Sequence, residues 1–124
     1  MVDDIAGVVI WTQNLKHMIN FYEDTLKLKT FSKRSDFVAF KFGNIRLNIG
    51  LHSKVKGNSD EPYRIMVNFS TQNIQNDYHS LSRQGVKFIR KPEQEHWGGW
   101  VATFFDPDGN ILQLLQLPVV EKQL

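Results

Sequence analysis

The 124-residue sequence predicts an α+β fold built from two tandem strand–helix–strand–strand–strand modules. Three observations predict it. The segment Val8-Val9-Ile10-Trp11-Thr12-Gln13-Asn14-Leu15 recurs as Val67-Asn68-Phe69-Ser70-Thr71-Gln72-Asn73-Ile74, at an offset of 59 residues. Each copy leads into an apolar stripe at helical spacing. Each stripe is followed by short segments with the alternation and turn residues of strands.

The first strand of each module is the repeat itself, ending in Thr-Gln-Asn. Asn14 is the expected N-cap of a helix whose buried stripe is Leu15, Met18, Ile19, Tyr22 and Leu26. Asn73 does the same for Ile74, Tyr78 and Leu81, the counterparts of Leu15, Ile19 and Tyr22 at the same offset. Gly85 supplies a left-handed stop to the second helix. The first has Lys27 near the equivalent place, which must either bear a strained backbone or end the helix differently. Strands are then expected over Lys29–Ser32, Phe37–Phe42 and Ile45–Leu51, with Gly43-Asn44 turning between the last two. In the second module they are expected over Val86–Arg90, Trp100–Phe105 and Ile111–Leu117. There Asp106-Pro107-Asp108-Gly109 makes the turn, Pro107 presetting φ and Gly109 taking a positive one. Leu47-Asn48-Ile49 matches Leu112-Gln113-Leu114 at an offset of 65. The reading is a single domain: module 1 over about 4–53, a polar linker over about 54–62 and module 2 over about 63–118.

Composition narrows the function classes. Fifteen Lys+Arg against thirteen Asp+Glu leave a net charge of +2, too little for a dedicated nucleic-acid binder. The densest basic stretch, Lys27 to Arg34, reads as a solvated strand face. The charge balance makes a poor host for a cationic ligand and a tolerable one for an anion. No apolar run approaches the roughly 20 residues needed to cross a bilayer, and Met1-Val2-Asp3-Asp4 lacks the features of a signal peptide, so a cytoplasmic location without membrane contact is expected. Zero cysteines remove disulfides, thiolate metal sites and a cysteine nucleophile.

The duplicated modules, the Asn-Leu helix opening that continues into Asn20-Phe21-Tyr22, and Trp97-Gly98-Gly99 before Phe105-Asp106-Pro107-Asp108-Gly109-Asn110 resemble the vicinal oxygen chelate superfamily. That superfamily contains glyoxalase I, extradiol dioxygenases, fosfomycin-resistance enzymes and bleomycin-resistance proteins. The resemblance covers nearly the whole chain, and its most specific part is the final DPDGN turn followed by a strand. It implies curved mixed sheets around a cavity with helices outside, usually in a homodimer, and does not imply one reaction.

Metal-containing relatives take ligands from the first and last strands of each module, and matching the motifs places those positions at Gly7, Asn48, Met66 and Gln113. Such metals need imidazole nitrogen or carboxylate oxygen. Gly7 has no side chain, Met66 offers a soft thioether, and Asn48 and Gln113 offer neutral amides, so a metal-free site without a cofactor is expected. His17 and His79 fall on polar helix faces, His52 follows a strand and His96 lies in a loop, with no metal-ligand spacing among them.

Strand alternation sets what a ligand would meet. Ile45, Leu47, Ile49 and Leu51 form a row that packs on a helix, leaving Arg46 and Asn48 opposite. Val67 and Phe69 pack likewise, leaving Met66, Asn68 and Ser70. The expected ligand-binding set is Val9, Trp11, Arg46, Asn48, Met66, Asn68, Trp97, Trp100 and Gln113, and no catalytic residue is assigned. Mixed walls of this kind suit an aromatic or partly polar small molecule, with Arg46 available to a carboxylate. The His96-Trp97-Gly98-Gly99-Trp100 segment reads either as a mobile aromatic flap or as a cap on the core or an interface. Proton transfer by Glu93, Glu95 or His96 is conceivable, though no spacing compels it. The expected function is binding of a small organic, anionic or aromatic ligand in a metal-free cavity. The alternatives are a metal-dependent glyoxalase-like lyase or dioxygenase, and a drug-sequestering resistance protein.

Overall fold

A computed structural model describes residues 1–119. The chain divides into two compact units, Met1–Asn58 and Ser59–Leu124, at the polar segment between the repeats. Unit 1 contains strand β1 (Gly7–Thr12), helix α1 (Leu15–Ile19), which runs into a π-helical turn (Asn20–Thr25), and strands β2 (Thr30–Arg34), β3 (Phe37–Phe42) and β4 (Ile45–Leu51). Unit 2 contains β5 (Val67–Ser70), α2 (Ile74–Arg83), β6 (Phe88–Gln94), β7 (Trp100–Phe105) and β8 (Ile111–Gln116). Both units are open four-stranded mixed sheets, ordered β1-β4-β3-β2 and β5-β8-β7-β6. In each the first strand runs parallel to the last and the other pairings are antiparallel. The α+β class and the two-module architecture are therefore as the repeat predicts.

The same chemistry starts both helices. The hydroxyls of Thr12 and Thr71, both buried, accept hydrogen bonds from the backbone N–H groups of Asn14 (2.9 Å) and Asn73 (3.1 Å). This turns the chain from strand into helix, and it is why Thr-Gln-Asn occurs twice. Asn73 caps α2, its side chain accepting from the N–H of Asn76 at 3.1 Å. Asn14 holds the N-cap position of α1 without a side-chain capping bond.

The helices cover one face of each sheet. Met18 and Tyr22 are fully buried over Val38, Phe40, Leu47 and Ile49, while Ile74 and Leu81 lie over Ala102, Phe104, Leu112 and Leu114. A chain of rings, Tyr78–Phe88–Phe104, closes the second core, the first contact edge-on at a centroid separation of 4.7 Å and the second tilted at 5.2 Å. The row expected to pack on α1 does so only in its middle: Leu47 and Ile49 are buried, whereas Ile45 and Leu51 extend beyond the short helix and are exposed.

Three elements differ from expectation in their bounds. The stripe from Leu15 to Leu26 is not one α-helix. After Ile19 the chain widens to i→i+5 bonding, with the Leu26 N–H on the Phe21 carbonyl at 2.9 Å, and Lys27 follows at φ 60°. Lys27 thus bears the strained conformation itself, the single non-glycine residue with positive φ among those described. Replacing it with glycine removes a left-handed penalty of about 1–2 kcal/mol and adds about 0.5–1 kcal/mol of unfolded-chain entropy. A Lys27→Gly variant is expected to melt about 2–4 °C higher by calorimetry.

The second difference is β6, which runs to Gln94 instead of ending at Arg90. Pro92 lacks the N–H a central strand needs, but β6 is an edge strand and its pairing to β7 shifts register between Arg90 and Glu93, so a bulge absorbs the proline. The strand expected to start at Lys29 and end at Ser32 is shifted to Thr30–Arg34.

Lys33, in the basic stretch, pairs with Glu23 of the π-helical turn at 3.0 Å, and the Thr30 hydroxyl donates to the same carboxylate. The Thr30 hydrogen bond, with Lys33 second, holds the Glu23 carboxyl below its usual range. A depressed carboxylate contributes stability above its unfolded-state pKa and loses it as pH falls through the folded value. Acid titration of Glu23→Gln should lack that component below about pH 4.5, with a screened loss of about 1 kcal/mol or less at neutral pH.

Candidate functional site

The face of each sheet turned away from its helix carries the polar residues singled out by alternation. In unit 1 the ladder sets Val9 and Ala39 on either side of Asn48, and Gly7 and Lys41 on either side of Arg46. Trp11 stands on the same face beside Gly50, is 41% exposed, and meets His52 edge-on at 5.1 Å. Val9, Trp11, Arg46 and Asn48 are therefore brought together on one face, as expected. In this row the side-chain oxygen of Asn48 is buried and has no hydrogen-bond partner. An unsatisfied acceptor in this position costs about 1–3 kcal/mol, which marks it as a place where a donor is missing.

Unit 2 repeats the arrangement with different chemistry. Gln113 sits between Asn68 and Thr103, and its Nε2 donates to Asn68 Oδ1 at 3.1 Å, so this amide pair satisfies itself. Met66 lies just before β5 and is exposed. Trp100 does not join this row. It pairs with Gln116, on the row that carries Ala102 and Phe104 toward α2. Trp97 lies in the turn before β7, where Glu95 N–H bonds Gly99 O at 2.8 Å and Gly98 N–H bonds Glu95 O at 2.9 Å. A Cβ on Gly99 would come within 1.9 Å of the Trp97 ring. The glycine is a close-approach point for the indole, which packs on it while remaining 43% exposed.

The metal question can be put to these residues within each unit. At position 7 a Cβ would lie 2.4 Å from the backbone carbonyl oxygen of Arg46, so no ligand-bearing side chain fits there without moving the ladder. Gly7 and Asn48 in unit 1, and Met66 and Gln113 in unit 2, do not form the nitrogen and carboxylate donor set of a divalent metal site. Among the described residues no group of three or more His, Cys, Asp or Glu side chains is placed to hold a metal ion. His17, His79 and His96 are exposed, and His52 accepts the Lys54 N–H through Nδ1 at 3.1 Å.

The acidic groups near the second sheet are committed elsewhere. Glu93 and Glu95 both pair with Arg90, at 3.0 and 2.9 Å. Their hydrogen bonds raise the already high Arg90 pKa. Asp106 is buried and holds the DPDGN turn, its carboxylate accepting from the backbone N–H groups of Asp108 and Asn110 and from the Asn110 side chain, each at 2.9 Å. It acts as a turn residue, as the sequence indicates.

Sequence reasoning missed one feature of unit 1. Between Thr30 and Ser32 the β2–β3 register shifts, and the extra residue, Phe31, turns its ring to the open face. Lys41 Nζ and Arg46 Cζ lie 5.0 and 4.8 Å from its centroid, and at the other end of the hairpin Arg34 lies 5.1 Å from Phe37. These cation–π contacts hold the charges on the face without neutralising them. Alternation identifies Arg46, but only the strand pairing sets Lys41 beside it, and only the bulge brings Phe31 to both.

Residues 4–114 match the model of the Glyoxalase/Bleomycin resistance protein/Dioxygenase superfamily. Among curated proteins the chain is 24% identical over 125 residues to the uncharacterized protein YraH of Bacillus subtilis, covering 91% of this chain and 98% of that one. It is 34% identical over 77 residues to YetH of the same organism, covering 62% of each. Among solved structures it superposes on a member of the same superfamily from Sphaerobacter thermophilus with TM-score 0.73 at 21% identity, covering 94% of this chain and 98% of the other. A family enzyme from Burkholderia phytofirmans gives TM-score 0.74 at 16% identity, covering 92% and 98%. At these identities the structural matches speak to the fold.

Proposed function

The chain belongs to the glyoxalase/bleomycin resistance protein/dioxygenase superfamily, and on that premise we propose that it binds a small organic anion with an aromatic or apolar part, without a metal. The observation that carries this reading is the buried, unpartnered Asn48 oxygen in the middle of the open face of the first sheet. A ligand N–H or O–H satisfies it once the atoms that cover this oxygen move aside. Val9 and Trp11 supply apolar contact on the same face, and Arg46 with Lys41 supplies the attraction for negative charge. The exposed cations disfavour a cationic drug as the cargo. A single-domain homodimer in the cytoplasm accompanies the proposal, and substitution of Met66, Asn68, Trp97, Trp100 and Gln113 one at a time tests whether the second unit contributes.

The experiment is a screen of small aromatic carboxylates and phosphates against the purified full chain, read by indole fluorescence and thermal shift, with metal analysis of the same sample. Saturable quenching and stabilisation without added metal support the reading. One stoichiometric divalent ion per subunit, with ligand binding dependent on it, overturns it.

A further inference from the structure

Lys41 and Arg46 face each other directly across the β3–β4 ladder, a pairing of like charges that works against the sheet. Both cations crowd the same Phe31 ring, at 5.0 and 4.8 Å from its centroid. Beside them is a hollow of about 260 Å³ lined by Lys29, Thr30, Phe31, Lys41 and Gly43. The ion pairs formed among the described residues are Lys33–Glu23, Arg64–Glu61, Arg90–Glu93 and Arg90–Glu95, so no described carboxylate neutralises Lys29, Lys41 or Arg46. The Phe31 ring offsets only part of the repulsion between Lys41 and Arg46, and Lys29 lines the hollow beside them. An anion held between them removes the repulsion.

We propose that this hollow is the subsite for a phosphate monoester, the charged end of a small phosphorylated ligand. The charge count selects the group: a phosphate monoester carries close to two negative charges and three acceptor oxygens at neutral pH. The ammonium groups of Lys29 and Lys41, which line the hollow, can serve those oxygens as point charges, and Arg46, on the same Phe31 ring, adds to the positive potential beside them. A carboxylate would leave most of the positive charge uncompensated. Gly43, at φ 59° with open space where a Cβ would stand, leaves the backbone side of the hollow accessible. The volume holds a phosphoryl group with the first atoms attached to it, and the adjoining open face lies within reach for the remainder. The inference specifies the anionic group of the ligand and rests on the proposed function only for where the rest of that ligand lies.

The test uses inorganic phosphate on the ¹⁵N-labelled full chain, at constant ionic strength set with chloride. Saturable shifts of the Thr30, Phe31 and Gly43 amides are expected. Lys41→Gln should weaken the affinity at least tenfold and Lys29→Gln severalfold, while Lys41→Arg keeps most of it. Lys16→Gln, an equal loss of charge on the exposed face of α1, should leave it unchanged. Both tested lysines are exposed, so folding is preserved, and the unshifted remainder of each spectrum verifies this. Linear, non-saturating shifts with phosphate, or equal weakening in Lys16→Gln and Lys41→Gln, would overturn the proposal, as would tight binding of heparin at these amides without a phosphate response. Because the titration contains no organic ligand, a failed screen for the open face leaves this subsite standing, and a failed phosphate titration leaves the Asn48 reading standing.

Discussion

A Gly7→His variant is expected to lose about 2–3 kcal/mol of stability, lowering the melting temperature by roughly 8–12 °C, and to acquire no metal site. Position 7 is where the family resemblance places a first-strand metal ligand, so the substitution resembles a restoration. The ladder forbids it. Gly7 lies opposite Arg46, and any Cβ there would stand 2.4 Å from the Arg46 carbonyl oxygen and 3.2 Å from its carbon. These are backbone atoms, unable to rotate away as a side-chain end could. Relief requires the start of β1 to peel from β4, which sacrifices ladder bonds, including that from Arg46 N–H to Ala6 O at 3.1 Å. Because β1 is an edge strand, the loss should stay local. Thermal unfolding and titration with Co²⁺, read by its absorption, check both halves of the expectation. A variant as stable as the parent that takes up one Co²⁺ would show that the strand yields and that the departure from the metal-binding pattern is readily reversed.

An Asn48→Val variant is expected to move stability the other way, gaining about 1–2 kcal/mol while losing at least tenfold in affinity for the organic ligand. The side-chain oxygen of Asn48 is buried without a partner, so the ligand-free protein carries its desolvation cost. Valine removes the unsatisfied acceptor, is closer to asparagine in size than leucine is, and suits a central strand between Val9 and Ala39. Opposite signs for stability and binding are the mark of a functional polar group kept at the expense of the fold. If the variant is destabilised, or binds unchanged, Asn48 is a structural residue and the reading built on it fails.

How far the fold was legible follows the range of the interactions. The Thr-Gln-Asn repeat, the helical stripes and the DPDGN turn are local patterns whose hydrogen bonds close within a few residues: Thr12 to Asn14, Thr71 to Asn73, Asp106 to Asn110. A sequence displays such patterns directly. Strand faces were also legible, because period-two alternation assigns Arg46 and Asn48 to the side opposite Leu47 and Ile49. Trp100 escaped this logic. The pairing of β7 with β8, not proximity to Gly99, decides its face, and it goes with Phe104.

By itself the sequence determined the two-module α+β architecture and the strand face that carries Arg46 and Asn48. Both depend on residue type and spacing, which the chain carries unfolded. Tertiary structure alone decided that a bulge at Phe31 gathers Lys41 and Arg46 over one ring, that Gly7 leaves no room for a side chain, and that the amide of Gln113 finds a partner while that of Asn48 does not. Each of these turns on ångström-scale distances between strands remote in sequence, and such distances are set by strand register and packing.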